Sequence, residues 1–196
     1  MNIDSIHDQI HQKYLCSDTG FSLHYSFLYS LVLGLEAKHV FEFGSGFSTH
    51  CILHALEITG GELSSCDVRT TDENKAITDY TKKSSIWNFI HGHSNLALQN
   101  HQHAYYDLIL HDGSHTCDQV VRDLDNIFPF LKQDGLLLVH DTTHPDLGDE
   151  MMDAVNQFSK NRDLDLCTLP YGYGLTIIHN KTETAQRVKL SWEKKR

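Results

Sequence analysis

The 196-residue chain is 40% hydrophobic and 10% aromatic, enough to close one substantial core, so a single domain is expected. A formal net charge of −10 disfavours a nucleic-acid backbone as main partner, and three prolines with no low-complexity run argue against long disordered segments.

The N-terminus, Met1-Asn2-Ile3-Asp4, has neither the basic nor the apolar part of a signal peptide. Residues 1–36 read as helices, with His24, Phe27, Leu28, Leu31 and Leu35 at helical spacing; their apolar stretch is too short to span a membrane. A first strand, Val40 to Phe43, breaks at Gly44-Ser45-Gly46 into a helix from about Ser48. Glu62 to Asp67 is the second strand, followed by a polar helix to about Lys83. Trp87 to Ile90 is the third, with loop and short helix over 91–100. Asp107 to Leu110 is the fourth, and Thr116-Cys117-Asp118-Gln119 fits a capping box. The helix it opens carries Val120, Val121, Leu124, Ile127, Phe128 and Leu131 on one face. Leu136 to Val139 is the fifth strand, 147–160 a helix, and Asp165–Leu169 and Leu175–His179 a closing antiparallel pair around a glycine turn. Strand–helix alternation with that ending predicts an α/β, Rossmann-like three-layer sandwich. Its seven-stranded, mostly parallel sheet has an antiparallel last strand.

Two pentapeptides share the pattern H-D-x-[ST]-H: His111 to His115 and His140 to His144. Each follows an apolar run that reads as a buried strand, so both clusters lie at the sheet edge where open α/β folds bind ligands. On adjacent strands, ~4.8 Å apart, two carboxylates repel by roughly 3 kcal/mol at an effective dielectric of about 20. A shared cation, a shared proton or the neighbouring histidines must relieve that. The second motif is Glu42-Phe43-Gly44-Ser45-Gly46-Phe47-Ser48-Thr49. Its glycines let backbone approach a ligand at a helix N-terminus, but Thr49 stands where a dinucleotide fingerprint has its third glycine. Asp67, 23 residues after Gly44 and closing the second strand, is placed to accept ribose hydroxyls.

Together, Glu42-x-Gly44-x-Gly46, Asp67, the His93-Ser94 region and the antiparallel ending resemble a class I S-adenosylmethionine-dependent methyltransferase. The segment from Tyr106 to His115, continuing through Gly135 to Thr142, resembles the subgroup called methyltransferase family 24. Its relatives include cation-dependent catechol and macrolide-sugar O-methyltransferases. The resemblance spans residues 38–180, leaving the N-terminal helices (1–36) and a tail (181–196) with six Lys/Arg against two Glu. It implies S-adenosylmethionine as cofactor, with Glu42, Gly44, Ser45 and Gly46 around its methionine part. Asp67 would hold the ribose, His93 and Ser94 would lie near the adenine, and Asp112 would stand beside the cofactor. It also implies Mg²⁺ or another divalent cation at Asp112 and Asp141, with Thr142 as a further ligand, and His115 as base with His144 as runner-up. The catechol type has Asn where this chain has Thr142, and the macrolide type has Glu where it has His140. Thr is a poorer ligand, and His favours a softer metal than Mg²⁺. The alternative is that Asp112 contacts the cofactor or caps the next helix, and that Asp141 caps its own loop.

The reaction so implied is O-methylation of a small-molecule hydroxyl. A non-catalytic S-adenosylmethionine-binding module and a metal-dependent phosphohydrolase are the competing classes. His-Asp pairs of such hydrolases sit on helices, however, whereas both pairs here follow strands. The cysteines Cys16, Cys51, Cys66, Cys117 and Cys167 include no C-x-x-C, so neither zinc ribbon nor redox motif is expected. His50/His54, His91/His93 and His101/His103 read as packing or loop residues, and Tyr105/Tyr106 as core or pocket wall. Tyr171 and Tyr173 flank a turn that borders an acceptor pocket or merely packs. No nucleic-acid or membrane partner is expected, and the cytoplasm is the natural compartment. The first 35 residues form either a substrate lid or a homodimer surface.

Overall fold

A computed structural model describes residues 5–16, 20–99 and 105–181. Residues 1–4, His101, His103 and the tail from 182 lie outside the described residues. Helix α1 (Ile6–Cys16), a 3₁₀ turn (Gly20–Leu23) and α2 (Tyr25–Gly34) precede the alternating part. There follow β1 (His39–Phe43), α3 (Phe47–Thr59), β2 (Glu62–Asp67), α4 (Asp79–Lys83), β3 (Trp87–His91), α5 (Ser94–Gln99) and β4 (Tyr106–His111). The chain continues with α6 (Cys117–Ile127), β5 (Leu131–His140), α7 (Glu150–Ser159), β6 (Leu164–Leu169) and β7 (Leu175–Asn180).

The seven strands form one sheet in the order β3-β2-β1-β4-β5-β7-β6. The first five pair in parallel, and β7 runs antiparallel between β5 and β6. This is the expected three-layer sandwich. Alternate strand residues point to opposite faces. Val40, Leu108, Leu110 and Leu138 meet the layer of α1, α2 and α3, while Phe41, Phe43, Ile109, Leu137 and Val139 meet α6 and α7. The order reverses between β1 and β4, so the loops leaving these two strands diverge and open a crevice above the sheet edge.

Three expected elements differ. The polar helix after β2 shrinks to Asp79–Lys83, because residues 68–78 spend polar groups on side-chain bonds to one another and to the glycine loop instead. Thr70 bonds to the Glu73 carboxylate, and Asn74 donates 2.8 Å to the Ser45 carbonyl. The capping box at Thr116 does not form. The Cys117 N–H donates 2.7 Å to Glu150 of α7, and the Gln119 side chain turns inward to Asp123. Finally, α6 stops at Ile127, and a 3₁₀ turn containing Pro129 turns the chain so that Leu131 pairs with Tyr106 of β4.

Candidate active site

The crevice at the β1–β4 edge holds a cavity of about 410 Å³, lined among others by Gly44, Asp67, Arg69, His93, Ser94 and Asp112. Five residues expected around a cofactor therefore share one space. Gly44 adopts φ +89°, and a Cβ there would stand 2.3 Å from the Asp112 carbonyl oxygen, so only glycine lets the two strand-end loops approach. Thr49 explains why the third glycine is dispensable. Its hydroxyl accepts from the Gly46 N–H at 2.9 Å and donates 2.7 Å to Glu42, tying the loop to the strand beneath. Glu42 lies under the loop, fully buried, and also accepts from Ser48 (2.5 Å) and Ser65 (2.8 Å). Burial pushes its carboxyl up to about 7; the hydroxyl bonds hold it from rising further, and nearby Asp112 adds to the rise.

Asp67 has more donors than expected. Ser45 gives it both its N–H (3.0 Å) and its hydroxyl (2.9 Å), while Arg69 gives its N–H, Nε and a terminal nitrogen at 2.8, 3.1 and 2.8 Å. Burial alone would raise the Asp67 carboxyl, but the Arg69 and Ser45 bonds outweigh it and hold it below its ordinary value. A ribose bound here must share or replace these donors. The replaceable one is Arg69, whose side chain is 55% exposed.

The second polar cluster forms where β4 and β5 end. Their register pairs His111 with Val139, so the two His-Asp motifs are offset by one residue. With a side-chain period of two, that offset turns the histidines to opposite faces. His111 is fully buried against α6, 3.3 Å from Asp123, while His140 points to the N-terminal layer beside Phe21 and His24. From there His140 Nδ1 lies 3.2 Å from Oδ1 of both Asp112 and Asp141, and its Nε2 donates 2.9 Å to the Gly172 carbonyl. Acceptors at both nitrogens call for an imidazolium. Burial opposes that charge, but the bonds to Asp112 and then Asp141 outweigh it and push His140 up to about 10. Asp141 itself sits at φ +61° and is held far below its ordinary value: burial would raise it, yet the His115 and His140 bonds prevail.

His115, half-exposed, places Nε2 2.8 Å from Asp141 Oδ2, and that bond raises its pKa against the effect of burial. Donor atoms of Asp112, His115 and Asp141 all lie within 4.8 Å of one another. Thr142 is turned elsewhere, its hydroxyl accepting 2.9 Å from Thr176 of β7. His144 also stands apart: its Nδ1 accepts from the Asp146 N–H at 3.1 Å, and its ring rests 4.1 Å from that of Tyr173.

The strand order, with β7 antiparallel between β5 and β6, has counterparts among known proteins. A family model described as a methyltransferase domain matches residues 41–142, more than half of the chain. The chain belongs to that methyltransferase family. No curated protein sequence matches it. Among solved structures, a candidate caffeoyl-CoA O-methyltransferase from Staphylococcus aureus superposes with a TM-score of 0.73 at 14% identity, covering 90% of this chain and 93% of the other. An O-methyltransferase from Bacillus cereus in complex with S-adenosylhomocysteine (SAH) gives 0.65 at 14% identity, covering 81% of each. The methyltransferase MycE, from mycinamycin biosynthesis, in complex with Mg, SAH and mycinamycin VI gives 0.62 at 15% identity. That match covers 88% of this chain and 54% of MycE. The shared fold is that of class I S-adenosylmethionine-dependent methyltransferases.

Several contacts of this methyltransferase were not expected from sequence. Arg69 and Asn74 converge on Ser45, and Gln119 donates to both Ser94 (3.2 Å) and Asp123 (2.8 Å) at the cavity wall. Asp123 did leave a signal, since it stands on the apolar stripe of α6 between Val120 and Leu124. The N-terminal segment closes over His140. Gly20 packs so tightly that a Cβ would lie 2.2 Å from the Tyr173 ring, and His24 stacks on Tyr171 at 5.0 Å. Among the described residues, no helix is long and apolar enough to cross a membrane.

Proposed function

We propose that this methyltransferase binds S-adenosylmethionine in the β1–β4 cavity and transfers its methyl group to a hydroxyl oxygen of a small-molecule acceptor held beside His115. The observation that carries this reading is the position of Asp112, which lines the cavity and also belongs to the Asp112–His115–Asp141 cluster. A methyl donor seated in the cavity thus meets a proton acceptor at one edge. The cavity's carboxylates, Asp67, Asp112 and Asp123, face one guanidinium, that of Arg69, which suits a ligand carrying ammonium and sulfonium charges.

In the proposed step, the acceptor oxygen attacks the methyl carbon in line, the carbon–sulfur bond breaks, and the hydroxyl proton passes to His115 Nδ1, because Nε2 already donates to Asp141. Asp141 Oδ2 orients that imidazole and stabilises its protonated form. A phenol of pKa ~10 facing an ordinary histidine is uphill by roughly 5 kcal/mol, and the raised pKa of His115 narrows the gap. The carboxylates of Asp112 and Asp141 suit a divalent cation, which when bound would draw charge from an acceptor oxygen and lower its pKa. Thr142 contributes little to such a site with its hydroxyl turned toward Thr176. His144 is a poor base, because the lone pair of its Nδ1 already accepts the Asp146 N–H.

The test is turnover of S-adenosylmethionine with a panel of phenols and hydroxylated natural products, read by mass spectrometry and by SAH release. His115→Ala should lower kcat by about 10²–10⁴ while His144→Ala stays near wild type. Full activity in His115→Ala overturns the base assignment, and no calorimetric binding of SAH overturns the cofactor reading. Binding without turnover would favour the non-catalytic module. A phosphohydrolase is disfavoured by the β4–β5 register, which sends His111 to Asp123 on the far face.

A further inference from the structure

We propose that His140 is a positioning residue for methyl transfer: anchored by the Gly172 carbonyl, it fixes Asp112 and Asp141 side by side and, through Asp141, aims His115 at the acceptor. The inference deepens the proposed function, since it rests on His115 being the proton acceptor.

His140 is the last residue of β5 and is buried, so its ring must find its partners within the protein. Its Nδ1 lies 3.2 Å from Oδ1 of both Asp112 and Asp141, the residues that follow β4 and β5. One ring nitrogen thus ties two strand-end loops together and leaves Oδ2 of Asp141 to meet His115 Nε2 at 2.8 Å. With Nε2 engaged, the Nδ1 lone pair of His115 is the one left for the acceptor proton. The other ring nitrogen of His140 is held by a strained turn. His140 Nε2 donates 2.9 Å to the Gly172 carbonyl, and Gly172, Tyr173 and Gly174 all adopt positive φ, at +59°, +65° and +86°. A bulky side chain such as that of Tyr173 rarely takes this conformation, so its surroundings must impose it. They do so from two sides. The Thr143 N–H donates 2.8 Å to the Tyr173 carbonyl, and a Cβ at Gly174 would stand 2.6 Å from the Thr143 nitrogen. On the N-terminal side, a Cβ at Gly172 would stand 2.5 Å from the Gly20 carbonyl oxygen and 2.8 Å from His24 Nε2. The Gly172 carbonyl therefore has little freedom, and the imidazole bonded to it is a fixed peg for both carboxylates. Such fixing bears on rate, because misplacing a catalytic group by ~1 Å lowers turnover by about 100-fold.

Steady-state kinetics of the full chain, with the panel phenol that wild type turns over fastest, test this beside SAH calorimetry and nitrogen NMR of the histidine rings. His140→Gln should lower kcat by about 10- to 100-fold, with the KM for S-adenosylmethionine and the SAH affinity within about 2-fold of wild type. In a His115→Ala background the same change should lower kcat by less than about 2-fold, because no base is left to aim. Gly20→Ala moves the anchor from a distance, since its Cβ would come 2.8 Å from the Gly172 carbonyl oxygen and 2.2 Å from the Tyr173 ring. It should lower kcat by about 3- to 10-fold, again without weakening SAH binding. By NMR, the neutral His115 ring should carry its proton on Nε2 in wild type and populate both tautomers in His140→Gln. Wild-type kcat in either variant with SAH still bound, or an equal loss with and without His115, overturns the proposal and leaves methyl transfer intact. Where wild type shows no turnover, the tautomer readout decides. A tautomer shift in His140→Gln then supports the positioning role while the proposed function falls, and an unchanged tautomer overturns both.

Discussion

Glu42 is a buried carboxyl with three hydroxyl donors, Ser48, Thr49 and Ser65, and its pKa stands at about 7 against an ordinary 4.5. Its ionised form is therefore disfavoured in the folded protein by about 3 kcal/mol. Because the folded value is the higher one, Glu42 favours the fold fully below pH ~4.5, and that contribution is lost as pH rises through about 7. An S-adenosyl ligand with its ammonium above the glycine loop brings the missing positive charge and pulls the pKa back down. Binding below pH 7 should then release a proton, and SAH affinity should rise on the order of 10- to 100-fold from pH 5 to pH 8. Glu42→Gln removes the titrating group, so the variant should bind like wild type at pH 5 and fall progressively behind as pH rises. Calorimetry in two buffers of different ionisation heat counts the released protons directly. A wild-type affinity ratio to Glu42→Gln that stays constant from pH 5 to pH 8, with no proton release, refutes the coupling.

Two further outcomes are expected. Arg69→Ala removes two of the five donors to Asp67 and a positive charge from the cavity, so S-adenosylmethionine should bind about 2- to 5-fold more tightly, in line with a half-exposed ion pair of ~0.5–1 kcal/mol. A weaker Kd by the same titration would assign the guanidinium to ligand binding instead. His140→Ala leaves Asp112 and Asp141 without their shared donor and should destabilise the fold by about 3–5 kcal/mol in urea melts at pH 6. The folded pKa of His140, about 10, exceeds its unfolded ~6.5, so its stabilisation is complete below the latter and is lost as pH rises through the former. Asp141, shifted the other way, loses its contribution as pH falls below its ordinary range. The gap between wild type and variant should therefore peak between pH ~4 and ~6.5 and shrink by pH 10; an equal gap at pH 6 and pH 10 speaks against the charged bridge.

Much of the architecture was legible in local pattern. Apolar runs near glycines marked several of the strands, the short turn at Pro170–Gly174 required an antiparallel ending, and Gly44, Asp67 and Asp112 announced a ligand edge. These signals are short-range: side-chain period, turn chemistry and strand-end position are properties of a few consecutive residues. The repeated H-D-x-[ST]-H was legible as a candidate site with unequal roles for its halves, but not the opposite facing of its two leading histidines. Only the one-residue offset between β4 and β5 sends His111 to Asp123 and His140 to the paired aspartates, and register is settled by non-local packing of both faces. The same holds for the guanidinium on Asp67, for Thr142 turning to Thr176, and for Gly20 fitting against Tyr173. Each depends on where a distant segment lands, which tertiary packing alone decides.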